Sequence, residues 1–566
     1  MSAALVFQCE ELASEILEYL APGPLRRTDT IQYRIHRRER QRSLACAARV
    51  SRAWRNPALR VLWRVVEGVM PLLSLLPPLV CIQPEFDSGR EAEYLLSRDI
   101  TQAEWTHFQD HANHVRELHV NPMPIDPTKS TSGPVISSTV WIILSRWCSR
   151  DGLCPRLQRL ESLCLSASQS HELILISPKL RYLDLDFHGF QDFRAERMAV
   201  RSLFVHLRPV LHRLEGLRLG TGTRFCIDMD FDNEDDEQDT TGFTPFDLAE
   251  LTALKHLEMV GLPAMLRSDG LLDTFDRMNL HSLSVFVCSF NPVPVLLADV
   301  SDLGATLREL RLRGSLDALT RLTAYAAGPS LHTLDLTFHD LYRIEAEALR
   351  QTFDQIGSSV TDNLRRLHVK LQGTSTIASG LDARLFFQPL LEKAHLSDIA
   401  LTSSGIDLRL NKETLRLITT AWPNLTTLLI ETDDGASCYP PLLSFEDMAE
   451  FVAYHPALKE LALPHLNATA LPRVDAVPVS NIGLEIFRLS SISTREGHRK
   501  ETLFKLALLF DRLFPNLDLS AALTDELDRG RDRDCWDEVQ DYMVALQAGR
   551  RSPHHYHICG SGGVFA

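Results

Sequence analysis

Apolar residues recur along most of the chain in one short phrase: an apolar residue, two others, an apolar residue, one other and a third apolar residue. The first copy is Val115/Leu118/Val120 and the last is Phe514/Leu517/Leu519, with about thirty residues between successive copies. The alternation in the phrase predicts a short strand whose leucines point into a core, and the remaining residues suit a return helix. The recurrence therefore predicts an α/β solenoid over residues 111–520, with a parallel sheet on its concave side and helices on its convex side.

The first 65 residues instead show helical periodicity. Three apolar residues lie four positions apart and form one row along a first helix: Leu12, Ile16 and Leu20. Pro22-Gly23-Pro24 should end this helix. Ser43 is a candidate N-cap for a second helix, and Asn56 before Pro57 is a candidate start for a third.

These signals predict a small helical module ahead of the repeats. The module should occupy residues 1–65 and carry a basic insertion at 21–43, which is either a loop or an extended helix start. We expect a connecting helical segment at 66–110 and a C-terminal helix with a flexible tail at 521–566. Three helices bury little apolar surface, so part of it should need a partner.

The module resembles the F-box, by which substrate receptors dock on the Skp adaptor of cullin-based ubiquitin ligases. The resemblance rests on the segment from Glu11 to Leu20, on Val50-Ser51-Arg52-Ala53-Trp54 and on Leu62-Trp63. Two features depart from the family pattern: Ala13 stands where proline is usual, and the first two predicted helices lie further apart. The recurring phrase resembles the leucine-rich repeat, in a long, helix-backed form that lacks the usual asparagine.

The resemblance implies a three-helix F-box-like module in front of a leucine-rich-repeat solenoid, as in an F-box/leucine-rich-repeat substrate receptor. Such a chain would be the substrate-recognition adaptor of an SCF-type (Skp-cullin-F-box) ubiquitin ligase. Its expected partners are the Skp adaptor, the cullin ligase through that adaptor, and an unknown protein substrate. The residues expected to contact the adaptor are Leu12, Ile16, Leu17, Leu20, Val50, Trp54, Leu62 and Trp63. The alternative is a non-catalytic repeat scaffold that acts outside ubiquitination and whose helical cap seals the first repeat.

The residue between the second and third apolar positions of each phrase, which we call its central residue, should point outward from the concave sheet, so that successive repeats form one column of side chains. The column residues expected to bind substrate are Arg218, Glu258, Arg311, Asp335, His368 and Leu429. Two alternatives need no ligand. Neighbouring charges along the column would pair with each other, and the C-terminal tail would cover its apolar part, Ala400, Leu429 and Ala462.

Composition limits the remaining function classes. The chain has 566 residues, 45% of them apolar, and a net charge of -15, which makes nucleic acid a poor partner. No secretory signal or membrane-spanning segment is visible, and the scattered cysteines suit a reducing compartment. We therefore expect a cytoplasmic or nuclear protein.

Two segments contain residues that could bind a metal ion. The acidic stretch at 228–239 has oxygen ligands for calcium but lacks the helix-loop-helix pattern, so a solvated loop is the better interpretation. His554, His555, His557 and Cys559 resemble a metal set, but a disordered terminus explains them more simply. No catalytic constellation is found, and we expect no enzyme activity, no cofactor and no metal.

Overall fold

The computed structural model describes residues 9–23, 31–83, 92–120, 135–148, 152–165, 170–187, 205, 207–221, 251–260, 275, 277–286, 305–339, 341, 346–373, 381–404, 406, 408–432, 443–477, 483–494, 499–515, 517, 519 and 535–551. The chain forms two compact units, Met1–Leu280 and His281–Ala566. The acidic stretch at 228–239 and the histidine-rich residues 554–559 lie outside the described residues.

The N-terminal unit combines helices with parallel strands. Its helices are α1 (Glu10–Glu18), α2 (Ile31–Ala47), α3 (Arg52–Leu62), α4 (Met70–Leu73), α5 (Gln102–Ala112) and α6 (Ser138–Trp147), with short 3-10 turns at Ser170–Leu175 and Leu211–Arg213. Its strands are β1 (Val65–Glu67), β2 (Leu79–Ile82), β3 (Glu93–Leu96), β4 (Glu117–His119), β5 (Val135–Ile136), β6 (Arg159–Leu165), β7 (Tyr182–Phe187), β8 (Gly216–Thr221) and β9 (His256–Val260). In the described part, β1, β4, β6, β7, β8 and β9 form a parallel sheet in chain order, while β2, β3 and β5 form a separate small sheet.

The C-terminal unit repeats the strand-and-helix arrangement. Its strands are β10 (Ser282–Phe286), β11 (Glu309–Gly314), β12 (Thr333–Phe338), β13 (Arg366–Gln372), β14 (Leu381–Asp382), β15 (Asp398–Ser404), β16 (Leu408–Arg409), β17 (Thr427–Thr432), β18 (Glu460–Asn467) and β19 (Ile486–Ser493). Its helices are α7 (Leu316–Ala326), α8 (Ala346–Ser359), α9 (Arg384–Phe387), α10 (Lys412–Ala421), α11 (Phe445–Tyr454), α12 (Arg499–Leu513) and α13 (Cys535–Arg551). Within this unit, all described strands except β14 and β16, which pair with each other, form one parallel sheet in chain order. The prediction of an α/β chain with a large parallel sheet flanked by helices is confirmed.

The recurring phrase sets the register of the strands. Leu310 pairs with Leu334, and Leu334 pairs with Leu367, so the leucines of successive phrases stack in one buried row. Helices cover this leucine face. For example, the ring of Phe338 in β12 lies 5.7 Å from the ring of Phe353 in α8. The alternate side chains point to the other face, which we call the open face.

A backbone ladder joins successive turns ahead of the strands. The amides of Arg308 and Glu309 both donate to the carbonyl of His281, and those of His332 and Thr333 both donate to that of Arg308. Further carbonyls that accept two amides in this way are those of Arg64, Arg116, Gln158, Arg181, Glu215, His332, Arg365, Ser397, Thr426 and Lys459. Main-chain groups therefore link successive repeats where the chain enters each strand.

Two predicted helix starts are wrong. Ser43 lies inside α2, where its hydroxyl donates to the carbonyl of Glu39 at 3.0 Å, because the basic stretch continues the helix toward its N-terminus. Asn56 lies inside α3, which Ser51 caps by accepting the amide of Trp54 at 3.3 Å. The basic insertion was predicted to be either a loop or an extended helix start. From Ile31 onward the structure shows the extended helix.

Two predicted boundaries also need correction. The segment 66–110 is not only helical, because it contains strand residues of β1 and the β2–β3 hairpin, and β1 already belongs to the main sheet. The last phrase, Phe514/Leu517/Leu519, forms no strand in its described residues. It follows the end of α12, and its three side chains are buried there as core residues.

None of the described helices is long and apolar enough to cross a membrane.

Candidate functional sites

The helical module at the N-terminus has a complete core of its own. Its fully shielded side chains are Leu17, Leu44, Ala47, Ala58 and Val61, and its half-buried neighbours Leu20, Trp54 and Leu62 pack against them. The prediction that Leu17 contacts an adaptor is wrong, because this side chain has 0% exposure inside the module. Leu12 is half-buried, and Trp63 is half-buried with its ring 5.1 Å from that of His111 in α5.

Other apolar side chains of the module remain open to solvent. Ile16 is 42% exposed, and Tyr19, one turn further along the chain, is 86% exposed. Val50, between α2 and α3, is 68% exposed, and Ile35 in α2 is 47% exposed. We call Ile16, Tyr19, Ile35 and Val50 the exposed apolar set. Sequence reasoning selected Ile16 and Val50 but missed Tyr19 and Ile35, because both lie outside the apolar row predicted from Leu12, Ile16 and Leu20.

Ala13 contributes its amide to the first turn of α1. Its amide donates to the carbonyl of Cys9 at 3.0 Å, which is the first hydrogen bond of the helix. Proline has no amide hydrogen and would lose this bond, whereas alanine keeps it and is fully buried.

Two ion pairs fasten the module to the start of the parallel sheet. Arg64, next to β1, makes a two-pronged contact with Glu18 of α1, with one nitrogen–oxygen distance of 2.8 Å. The hydrogen bonds from Arg64 lower the pKa of Glu18. Arg37 of α2 is 2% exposed and donates to Glu67 of β1 at 2.5 Å and to the carbonyl of Gly23. The helices of the module are therefore held in a defined position on β1.

A buried charge cluster occupies the open face of the N-terminal unit. Arg218 of β8 lies 2.7 Å from Asp184, 2.9 Å from Asp186 and 3.2 Å from Glu258, so its guanidinium joins three adjacent strands. Burial opposes its charge, but these carboxylates raise the pKa of Arg218 above its ordinary value. Only 19% of the Arg218 side chain is exposed, which leaves little of it for a partner protein.

Glycine makes room for this cluster. A Cβ atom on Gly220 would lie 2.5 Å from an Asp186 carboxylate oxygen and 3.3 Å from the Arg218 guanidinium. A Cβ atom on Gly216 would lie 2.4 Å from the ring of Tyr182, which stacks under Arg159 at 4.3 Å. Mutual pairing of neighbouring charges, one of the two ligand-free alternatives, is therefore what Arg218 and Glu258 show.

The open face of the C-terminal unit carries a looser charge chain. Arg311 lies 3.1 Å from Asp335, and the two ring nitrogens of His368 lie 3.3 Å from Asp335 and 3.3 Å from Asp398. Burial alone would raise the pKa of Asp398, but the contacts with His368 and Arg366 bring it below its ordinary value. Arg311 is 53% exposed and His368 41%, so both still present atoms to solvent.

These residues form one side of a shallow open depression of about 260 Å³. The next residues along the same strands complete it, since Arg313 pairs with Thr337 and Thr337 with Lys370 across β11, β12 and β13. We call this feature the cationic depression; its defining residues are Arg311, Arg313, Asp335, Thr337, His368 and Lys370. Sequence reasoning selected Arg311, Asp335 and His368 for this face but missed Arg313 and Lys370, which follow the last apolar position of their phrases.

Leu429 lies two strands from His368, beyond Ala400, which is 8% exposed. Leu429 is half-buried, and Ala462 beside it is fully buried. The described C-terminal helix α13 contacts Phe487 through Trp536 at 5.2 Å, and Phe487 belongs to the leucine face. Of the predicted substrate contacts, the structure thus groups Arg311, Asp335 and His368, and it places Leu429 at a separate, apolar position of the same sheet.

No protein-family model matches the chain, and no curated protein matches it.

Proposed function

We propose that the chain is the substrate-recognition adaptor of an SCF-type ubiquitin ligase, with no chemistry of its own. Its N-terminal module docks on the Skp adaptor, and through that adaptor on the cullin, while the open face of the parallel strands holds the protein to be ubiquitinated. The observation that carries the proposal is the exposed apolar set on a module whose own core is already filled.

The exposed apolar set gives the module a reason to bind another polypeptide. Full burial of one large apolar side chain contributes about 1.5–3 kcal/mol. With 42% of Ile16 and 86% of Tyr19 in water, covering both would contribute about 3 kcal/mol, roughly a hundredfold in affinity. Contacts from the partly open Leu12 and Val50 would add to this.

The ion pairs at β1 support the same role. An adaptor must present its substrate in a defined position, which a module joined by a flexible linker would not do. Arg64 and Arg37 instead hold α1 and α2 against the first strand of the sheet. Docking of the module would therefore also position the first strand of the N-terminal unit.

A repeat scaffold that acts outside ubiquitination is the second candidate. It is favoured by the packing of Leu20, Trp54 and Leu62 against the module's own core, which leaves these residues partly shielded. In that case the helices would only cap the first strand, and the exposed apolar set would have no partner.

A pull-down from cells distinguishes the two functions. The full chain should recover the Skp adaptor and a cullin. Ile16→Ser/Tyr19→Ser should lose most of both, because it removes the proposed contact side chains. These side chains lie outside the module's core, so the variant should still fold. The matched control is Tyr454→Ser/Val544→Ser, which removes side chains that are 63% and 37% exposed elsewhere and should recover both partners normally. Recovery that is absent from the wild type, or unchanged in the first variant, would favour the scaffold.

A further inference from the structure

The cationic depression is lined by more cations than carboxylates, while two carboxylates just outside its lining, Glu309 and Asp398, lie 3.6 Å from Arg311 and 3.3 Å from His368. Three of its side chains are cations, Arg311, Arg313 and Lys370, and one is a carboxylate, Asp335. The chain as a whole has a net charge of -15, so this concentration of cations opposes the overall charge. A local field of this sign attracts anions and repels other cations.

The single carboxylate of the depression is already engaged. One oxygen of Asp335 lies 3.1 Å from Arg311, and the other lies 3.3 Å from His368. Arg313 and Lys370 are both exposed, and among the described residues neither side chain makes a hydrogen bond or an ion pair. Exposed cations are well solvated by water and need no protein partner. Two of them on one face of a sheet nevertheless supply hydrogen-bond donors for an anion.

The strand register determines the distance between the backbones of Arg313 and Lys370. Arg313 pairs with Thr337, which pairs with Lys370, so two strand spacings, about 10 Å, separate their backbones. Both long side chains point to the open face and can converge over Thr337. The hydroxyl of Thr337 lies between them, and that of Thr402 lies on the far side of Lys370.

We propose that the cationic depression binds an oxyanion side chain of a protein segment, either a phosphorylated serine or threonine or a glutamate or aspartate. Arg313 and Lys370 contact the anion from two sides, and the hydroxyls of Thr337 and Thr402 donate to its remaining oxygens. Arg311 and His368, held by Asp335, form the floor of the site. That the segment belongs to a ubiquitination substrate rests on the proposed function; that it binds here does not.

The surroundings favour a protein segment as the source of the anion. Leu429 and Ala400 continue the same row of the open face beyond His368, and Phe286 lies beside Arg313 at the opposite end. An extended peptide that crosses the strands would place its anion between the cations and apolar neighbours against these residues. A free phosphate ion would use only the charges.

Peptide capture tests the proposal with the full-length chain. The probe is a degenerate nonapeptide library made in four versions, with phosphoserine, glutamate, serine or lysine at its centre. The phosphoserine version, the glutamate version or both should be retained at least tenfold more strongly than the serine version, and the lysine version least. Preference for phosphoserine over glutamate identifies a phosphate site, and equal retention of the two identifies a general carboxylate and phosphate site.

The variants assign the binding to the depression. Arg313→Gln/Lys370→Gln should reduce retention of the anionic versions at least tenfold. The control Arg384→Gln/Lys459→Gln removes the same two charges from exposed positions outside the depression and should reduce retention less than twofold. Equal retention of all four versions, or equal losses in the two variants, would overturn the proposal.

The same variants separate this inference from the proposed function. Arg313→Gln/Lys370→Gln should recover the Skp adaptor as well as the wild type does, since it leaves the module unchanged. Loss of peptide capture with normal adaptor recovery is the result expected of this variant. Peptide capture by a wild-type chain that recovers no adaptor would support the depression and contradict the ligase function. Adaptor recovery without peptide capture by the wild type would do the reverse.

Discussion

Replacement of Arg218 by methionine tests whether the charge column of the N-terminal unit is structural. Methionine keeps the unbranched apolar stem of the side chain but removes the guanidinium group, so Asp184, Asp186 and Glu258 lose their shared cation. Removing one partner of a fully buried ion pair costs about 3–5 kcal/mol. Because 19% of the Arg218 side chain is exposed, we expect about 2–3 kcal/mol, which is a 30- to 150-fold change in a local opening equilibrium.

Hydrogen exchange measured by mass spectrometry reads this change where it occurs. Amides of β7, β8 and β9 should exchange faster in Arg218→Met by that factor. Arg311→Met is the matched control, because Arg311 occupies the same column position but is 53% exposed. An exposed pair contributes at most about 1 kcal/mol, so amides of β11 and β12 should exchange less than about fivefold faster. Equal effects of the two variants would refute the reasoning.

Three further predictions concern buried groups. Burial raises the pKa of Glu172 from 4.5 to about 7. As the pH rises, the unfolded chain therefore releases this proton near pH 4.5 and the folded chain releases it near pH 7. Between these two pH values the folded state loses stability relative to the unfolded state. Glu172→Gln should match the wild type in urea unfolding at pH 4.5 and exceed its stability by about 2–3 kcal/mol at pH 8; a pH-independent difference would contradict this. Gly220→Ala should push Asp186 away from Arg218 and speed exchange in β8 at least tenfold, whereas unchanged exchange would mean that the crowded contact relaxes freely. Burial raises the pKa of the Cys154 thiol to about 12, so iodoacetamide at pH 8 should alkylate it at least about a hundredfold more slowly than the exposed Cys46, as peptide mass spectrometry would show; comparable rates would mean that this core opens readily.

The sequence predicted the strands well because one physical constraint acts on every repeat. Each copy of the phrase must place two apolar side chains on the covered face of a strand, and close packing admits little else there. The prediction of strands from the phrase failed at the first strand of the N-terminal unit and after the last strand of the C-terminal unit. In β1, Val66 pairs with Leu118, but Gly68 stands where the phrase requires its third apolar residue. Phe514, Leu517 and Leu519 satisfy the phrase but are buried after the end of α12 without forming a strand.

The helix boundaries were less predictable because capping competes with helix propagation. Ser43 and Asn56 are good caps in isolation, but each lies inside a stretch whose flanking residues continue the helix. Ser51, not Asn56, caps α3, since it lies ahead of all the helical residues. Sequence alone does not tell which of several possible caps the tertiary contacts select.

The candidate sites were predictable in position but not in environment. The phrase placed Arg218 and Arg311 in equivalent columns, yet one is buried among three carboxylates and the other borders an open depression. This difference depends on Asp186 and on Gly220, which lie outside the central column. Arg313 and Lys370 were missed for the same reason, although a search two residues beyond each central position would have found them.

Hydrogen exchange of the purified full chain with and without a purified Skp adaptor tests the central claim most directly. The account predicts a stable complex in which amides of α1 and of the Val50–Trp54 segment are protected, while those of β11, β12 and β13 keep their rates. No complex at micromolar concentrations, or protection confined to the strands, would contradict the claim that the N-terminal module is a docking surface.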